Sequence, residues 1–503
     1  MLLAKLIEKL NYEVKQGELS VEVAGLTSDS RNVVNHGVFI AIVGAKSDGH
    51  DYLEHVIKKN VAAVIVQKGA KLPKHISDNV TVIVTDNTRL ALAYTAAAYY
   101  EYPAKQLFTI GITGTKGKTT TTYMIKNVLE ACGIKTGLIG TIETIIGNES
   151  IPALNTTPES IKIHETFAKM VKKGIKAVVM EVSSQGLKLD RTAGIEFDIG
   201  VFTNLEPDHI GPNEHESFED YLYCKSLLFK QCKLGIVNGD DKYTKQILDG
   251  ARCKVESYGL QNTCDLYAEH IKLFHENGKI GLNYECKGLL DIPIHLNLPG
   301  KFSVYNSLCA IAVTRHLGVN ADTLTEIIKD VKVKGRVELV KVSENFSLMI
   351  DYAHNAMSLK SILTTLKEYK PNRLVCLFGC GGNRSKDRRY EMGKVSGELA
   401  DFTIITSDNP RFEKPEMIIK DIESSLSKVT DSYITIIDRA EAIKYAIGSG
   451  KPGDIIIIAG KGHEDYQEIE GVKYPMDERT LVADAVKQLK EEGVQGLSFG
   501  MED

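Results

Sequence analysis

The sequence predicts an α/β protein of three domains: a first α/β domain, a central P-loop-type sheet with a small appended β region, and a C-terminal doubly wound, Rossmann-like domain. Three observations carry that prediction. At 503 residues the chain exceeds what one hydrophobic core organises, and its length alone corresponds to about three domains. Short β-branched runs alternate with helix-patterned stretches through most of it. At Phe108 to Thr122, FTIGITGTKGKTTTT, one such run stops at a glycine-rich turn that opens into a helix with Met124, Ile125, Val128 and Leu129 on one face.

Taken in order, MLLAKLIEKLNYEVKQ reads as an amphipathic first helix, because Lys5, Glu8 and Lys9 interrupt its apolar residues at helical spacing and no small-residue cleavage site follows. Strands over 38–42, 62–66 and 80–84 alternate with helices over 52–59 and 88–100. Pro103 then ends the first domain, placed at 1–106. The polar clusters Thr27 to Arg31 and Gly44 to His50 read either as surface turns or as paired loops for a polar ligand. The central domain, 107–333, runs strand 107–113, helix 118–131, strand 136–141, helix 159–173, strand 175–182, strand 197–203, helix 218–231 and strand 233–238. Antiparallel strands over 253–297 and helices over 302–317 and 321–331 complete it. After Val333-Lys334-Gly335-Arg336 a second α/β series fills 334–503, with strands at 348–352, 374–378, 402–406, 433–437 and 454–459. Gly493 to Asp503 reads as a frayed tail.

Composition excludes several classes. Sixty-one basic against 66 acidic residues give a net charge of −5 with mixed signs, so no large nucleic-acid footprint is expected. Nine cysteines without CxxC or metal spacing read as reduced thiols of a cytoplasmic protein. No apolar run reaches the roughly 20 residues of a membrane span.

The chemistry concentrates at strand ends. Backbone N–H groups of the loop Gly114, Thr115, Lys116 and Gly117, with Thr120 in the first helical turn, can cradle phosphates. Lys118 reaches the terminal phosphates and Thr119 offers a hydroxyl to Mg2+, so a nucleoside triphosphate is the expected guest. The loop is a variant, since Ile112 stands where the ordinary pattern has its first glycine. Glu181 ends a buried-looking strand beside that loop, as a Mg2+-holding acid does. His209 alone reads as a hydrogen-bonded structural histidine, and Lys225 alone as a salt-bridged or snorkelling helix lysine. In the third domain four polar clusters follow strand ends: Asp351 to Asn355, Gly379 to Arg389, Asp408 to Arg411 and Gly460 to Glu464. Arginines mixed with Asp408 and Glu464 fit a ligand bearing both carboxylate and ammonium groups, such as an amino acid.

The motifs TGTKGKTT (113–120), NTTP (155–158), EVSS (181–184), TNLEPDHI (203–210), GKFSVYN (300–306), GRVE (335–338), DYAHN (351–355) and DNPR (408–411) resemble, in content and order, those of the Mur ligases, ATP-dependent amide-forming enzymes of peptidoglycan precursor synthesis. Within that family the chain is most similar to the ligases that add a dibasic amino acid to UDP-N-acetylmuramoyl-L-alanyl-D-glutamate. The resemblance implies an N-terminal domain for the UDP end, a central ATPase, and a C-terminal domain that closes over it with the amino acid. It implies Ser28, Ser30, Ala45, Lys46 and Ser47 on the uridine diphosphate, and Asn155, Thr156, Thr157, Ser183 and Arg191 on the muramoyl dipeptide. Asn306 and Arg336 join the loop on the adenine nucleotide, and Thr119, Glu181, His209 and a carbamylated Lys225 hold Mg2+. Lys118, Glu181, His209 and Lys225 form the catalytic set. DNPR and GKGHE resemble the enzymes that use meso-2,6-diaminopimelate, which implies Arg389, Asp408, Asn409, Pro410, Arg411, Gly460 and Glu464 as its contacts. The stretch PDHIGPNEH (207–215) is similar to lysine-adding relatives and keeps L-lysine open as the amine. A folylpolyglutamate synthetase, which shares the variant loop, and a regulatory switch that binds nucleotide without catalysis stay open as well. The expected enzyme is a cytoplasmic monomer.

Overall fold

The computed structural model describes residues 1–44, 47–208, 210–211 and 214–499. The chain divides into two compact units, Met1–Leu266 with Leu308–Asn320, and Tyr267–Ser307 with the residues from Ala321 onward.

The first unit begins with a five-stranded sheet, in the order Glu13–Gln16, Thr81–Thr85, Ala63–Gln67, Gly37–Ile40, Gly25–Thr27. All neighbours are parallel except the first pair. The expected amphipathic first helix is corrected here. Helix survives only over Leu3–Leu6, and Glu13–Gln16 is an edge strand with Val14 opposite Ile83. A single turn cannot repay its own nucleation, whereas the edge of the sheet offers Val14 and its neighbours a ladder of partners. Leu3, Leu6 and Ile7 still bury their side chains.

Parallel strands of the same unit run Lys254–Gly259, Cys232–Asn238, Phe197–Phe202, Phe108–Thr113, Ala177–Glu181, Thr136–Ile139, and the hairpin Glu143–Ile146 with Glu149–Pro152 adds two antiparallel neighbours. The middle strands are mostly apolar and almost wholly buried, as crossover-connected parallel strands must be, with Glu181 at a strand end as the buried charged exception. Register places Glu181 opposite Ile112 and Phe202 opposite Thr113, so three carboxyl ends stop at one level around the glycine-rich loop.

Of the antiparallel strands expected over 253–297, Lys279–Gly288 and Ile292–Leu296 pair antiparallel and Leu266–Glu276 joins them, but Lys254–Gly259 is corrected to a parallel neighbour of Cys232–Asn238. The C-terminal sheet runs Glu338–Val340, Ser347–Asp351, Ile455–Ala459, Leu374–Phe378, Phe402–Ile405, Tyr433–Thr435, parallel after its first member. Alternate residues serve two separate cores. Met349, Cys376 and Ile457 pack on one side, and Leu348, Val375 and Ile456 on the other. That alternation makes the sheet doubly wound. The expectation of a frayed tail over Gly493 to Asp503 is also corrected as far as Phe499, and its last four residues lie outside the described residues. Ser498 N–H donates to Val342 O at 2.9 Å, Ser343 Oγ to Gly496 O at 3.0 Å, and Leu497 and Phe499 cover the second core. Apolar Leu497 and Phe499 gain more by burial than a loose end gains in entropy. Among the described residues, no helix is long and apolar enough to cross a membrane.

Candidate active site

The strand Phe108–Thr113 and the helix Lys118–Ala131 flank the loop as the spacing predicts. Gly114 is buried at φ +148°, and a Cβ there would lie 1.9 Å from Thr203 Oγ1, so only glycine fits. The neighbouring strand end pins the loop from outside. Thr203 Oγ1 donates to Lys116 O (2.7 Å), Asn204 Oδ1 accepts from Lys116 N–H (2.9 Å), and Thr115 N–H donates to Asn204 O (2.9 Å). Lys118 Nζ folds back on Gly114 O (2.7 Å) and Thr115 O (3.0 Å). Its ammonium thus sits over the loop whose N–H groups and helix start form an anion cradle.

Glu181 is fully buried, and neutral donors hold both its oxygens: Thr119 Oγ1 at 3.1 Å, Thr141 N–H at 2.9 Å and Thr141 Oγ1 at 2.9 Å. No lysine or arginine ion-pairs with it among the described residues. A buried carboxylate needs a cation or strong hydrogen bonds, so this pairing of carboxylate and Thr119 hydroxyl beside a phosphate cradle fits a hard divalent ion such as Mg2+. The same strand end organises the residues expected on the muramoyl dipeptide. Thr157 Oγ1 donates to Glu181 O (3.0 Å) and accepts from Ser183 N–H (2.9 Å), and Arg191 Nη1 donates to Thr157 O (2.9 Å). Thr156 Oγ1 lies 3.1 Å from Thr141 Oγ1, and Asn155 is exposed beside them. His209 lies outside the described residues.

Lys225 departs from the ordinary reading of a helix lysine. It is 1% exposed, its Nζ donates to Gly114 O at 2.8 Å, and it stands over the Tyr221 ring at 4.5 Å. Burial, and secondarily the nearby Lys118 ammonium, holds its pKa well below the ordinary lysine value. Its helix is fixed by Tyr221 OH, 3.0 Å from Thr115 Oγ1.

In the N-terminal sheet, Ser28 and Ser30 follow the strand Gly25–Thr27 and are half-buried, with Ser30 O accepting from Lys59 Nζ at 3.0 Å. Ser47 is exposed and its carbonyl accepts from Gly44 N–H (2.9 Å); Ala45 and Lys46 lie outside the described residues.

The second unit gathers the expected amino-acid contacts at the carboxyl ends of its strands. Asn409 Nδ2 donates to Glu464 Oε2 (2.9 Å), and buried Lys461 Nζ donates to Asn409 Oδ1 and Glu464 Oε2, both at 3.0 Å. Burial would raise the Glu464 pKa, but Lys461 and Asn409 outweigh it and hold it low. Asp408 and Pro410 are buried beside them, and Gly460, at φ +114°, leaves room for the Asp408 carboxylate. Arg411 donates from Nε to Glu468 Oε2 (3.0 Å) and from Nη1 to Gly382 O (2.9 Å), which leaves Nη2 without a partner among the described residues. Arg389 differs from these. It is 1% exposed, with Nη1 on Asp421 (2.8 Å) and Nη2 on Glu413 (2.7 Å), so the expected contact with a substrate carboxylate would have to break an internal ion pair. Arg336 stacks on Tyr352 at 4.8 Å, beside His463, whose pKa burial and Arg336 push down to about 4. Asn306 is buried in the helix Lys301–Thr314.

Sequence reasoning did not single out Thr141, Tyr221 or Lys461, nor the buried pair Arg439–Glu478. Lys461 lay within a named motif; the others carry no local signal, because their partners are distant in sequence.

Residues 112–314 match the Mur ligase middle domain, 335–462 the Mur ligase glutamate ligase domain, and 22–100 the Mur ligase family catalytic domain. The chain is 42% identical over 490 residues, 97% of its length and 99% of the relative's, to the UDP-N-acetylmuramoyl-L-alanyl-D-glutamate–2,6-diaminopimelate ligase of Caldanaerobacter subterraneus subsp. tengcongensis. It is 41% identical over 492 residues, 97% of its length and 100% of the relative's, to ligase 1 of that name from Clostridium acetobutylicum. A solved structure of a ligase of that name superposes with a TM-score of 0.72 at 27% identity, covering 97% of this chain and 99% of the other.

Proposed function

The chain belongs to the Mur ligase family, and from that premise we propose that it joins meso-2,6-diaminopimelate to the D-glutamate side-chain carboxylate of UDP-N-acetylmuramoyl-L-alanyl-D-glutamate, with conversion of ATP to ADP and phosphate. The observation that carries this reading is identity of about 40% along nearly the whole length of relatives so named. We assign the three functional regions to 1–106, 107–333 and 334–503, for the UDP end, ATP and the amino acid.

A carboxylate is a poor electrophile until one oxygen becomes a leaving group. In the proposed reaction that oxygen attacks the γ-phosphorus of ATP, and ADP departs. The amine nitrogen of diaminopimelate then attacks the acyl carbon of the acyl phosphate, phosphate leaves with the C–O electron pair, and the nitrogen gives up one proton to solvent. The loop Gly114 to Thr120 orients the triphosphate, and Lys118 offsets the charge that spreads over its oxygens during transfer. Thr119, Glu181, His209 and the carbamate of Lys225 would hold Mg2+, which when bound shields the phosphates from the incoming carboxylate. The depressed basicity of Lys225 supports the carbamate: the lone pair of the deprotonated amine adds to CO2 and one N–H proton leaves to solvent, which places there the anion a metal requires. Thr157, Ser183 and Arg191 orient the muramoyl dipeptide.

Arg411 supports diaminopimelate over L-lysine. Its Nη2 can take the distal carboxylate that lysine lacks, and an unpaired arginine penalises the wrong amine. Arg389 supports the same pocket by anchoring Glu413 and Asp421. Nine free thiols are consistent with a cytoplasmic enzyme, which we take to act as a monomer.

The test supplies purified protein with ATP, Mg2+ and the UDP-muramoyl dipeptide, with diaminopimelate, L-lysine or L-ornithine in parallel, following phosphate and product mass. Diaminopimelate-dependent phosphate release with the matching product mass is expected. Preference for lysine overturns the subtype, and no amino-acid-dependent release with any of the three overturns the ligase reading.

A further inference from the structure

The loops Asp408–Arg411 and Gly460–Glu464 face each other through Asn409, Lys461 and Glu464, but their strands are not neighbours. Leu374–Phe378 lies between Phe402–Ile405 and Ile455–Ala459, so the loop roots are separated by two strand spacings, about 10 Å. One side chain spans that gap from behind. Arg439, the first residue of the helix Arg439–Gly448, is 2% exposed. Its Nη1 donates to Ser407 O at 3.1 Å, immediately before Asp408, and its Nη2 donates to Ala459 O at 3.0 Å, immediately before Gly460. Glu478, the first residue of the helix Glu478–Glu491 and fully buried, fixes the guanidinium by accepting from Nε (2.8 Å) and Nη2 (2.6 Å) on one oxygen, Oε1.

We propose that Arg439, held by Glu478, is a specificity-determining positioning residue that sets the spacing of the two amino-acid-binding loops. It touches no substrate. A buried ion pair is weak evidence for stability, since apolar residues of similar volume commonly replace one without loss. What apolar residues cannot replace is the simultaneous grip on two strand-end carbonyls. The fork geometry of arginine supplies that grip and a lysine ammonium cannot. Where the spacing is lost, Arg411 no longer meets the distal carboxylate at fixed distance, and the advantage of diaminopimelate over lysine falls with it. The specificity claim rests on the ligase reading above; the spacing claim does not.

Two variants test it. Arg439→Lys keeps the ion pair and gives up the double grip, whereas Arg439→Met with Glu478→Leu removes both charges at similar volume. In each folded variant the KM for diaminopimelate is expected to rise about tenfold, and the kcat/KM ratio of diaminopimelate to L-lysine to fall by about the same factor. The KM for ATP should stay within about twofold. Equal rises for ATP and diaminopimelate, or unchanged discrimination in either folded variant, overturn the specificity role. Amide hydrogen exchange supplies a readout independent of the reaction. Faster exchange confined to 407–411 and 460–464 is expected in both variants, and unchanged exchange there overturns the clamp itself. A wild-type protein inactive with every amino acid would overturn the ligase reading and the specificity role with it, while the exchange result would still decide the clamp.

Discussion

Replacing Arg411 with alanine is expected to raise the KM for diaminopimelate about 10- to 150-fold and leave that for ATP within about twofold. The magnitude follows from how the guanidinium is held. Nε and Nη1 are fixed on Glu468 and Gly382, and the backbone N–H of Arg411 donates to Glu468 O at 2.9 Å, so Nη2 is aimed before any ligand arrives. Little entropy remains to be lost on binding, and a hydrogen bond to a charged group is then worth about 1.5–3 kcal/mol. At about 1.4 kcal/mol per factor of ten, that range is the expected change in KM. The ion pair with Glu468 is about one-fifth to one-quarter exposed and contributes less, about 1 kcal/mol or below, so thermal stability should fall only slightly. Arg411→Lys keeps the charge without the fork and should be intermediate. The assay is steady-state phosphate release with diaminopimelate, L-lysine and ATP varied in turn, alongside thermal unfolding. Equal losses for diaminopimelate and L-lysine, or a stability loss large enough to account for both, would refute the reasoning.

Gly114→Ala should displace Thr203 Oγ1 from Lys116 O, costing about 1–3 kcal/mol of stability and weakening ATP binding at least about tenfold in calorimetric titration; undiminished ATP affinity would contradict the tight fit. Lys225 has a folded-state pKa well below its unfolded value of 10.5, so the folded form binds fewer protons and wild-type stability declines as pH falls from 10.5 towards the depressed value. Lys225→Met lacks that decline, and urea unfolding in CO2-free buffer should show the gap between the two proteins changing with pH; a pH-independent gap would sink the depressed pKa of Lys225. His164 is fully buried, neither ring nitrogen has a partner among the described residues, and burial pushes its pKa from 6.5 down to about 4. Stability present above pH 6.5 is therefore lost as pH falls through that window, by about 3 kcal/mol. His164→Leu should flatten that stretch of the profile, and parallel profiles for the two proteins would count against it.

The sequence by itself determined the α/β alternation, the strand–loop–helix of Phe108 to Ala131, and the family. Each is written in contiguous residues: period-two and helical patterns, glycines and a lysine at fixed spacing, and motifs in fixed order. It also located the polar clusters of the C-terminal region at strand ends, because a strand that stops at glycine or asparagine is a local event. The tertiary structure decided what depends on distant partners. Val14 joined Ile83 as an edge strand because sheet pairing outweighed a weak helical pattern. Leu497 and Phe499 turned the described part of an expected frayed tail into a covering for the core. Lys225 lost basicity through burial in the folded chain, where its Nζ meets Gly114 O, 111 residues away. Arg389, which like Arg411 read in sequence as a substrate contact, was committed to Glu413 and Asp421, while Arg411 kept one nitrogen open. Burial and pairing set the charge state and availability of these groups, and both are properties of the folded neighbourhood rather than of the residue or its spacing.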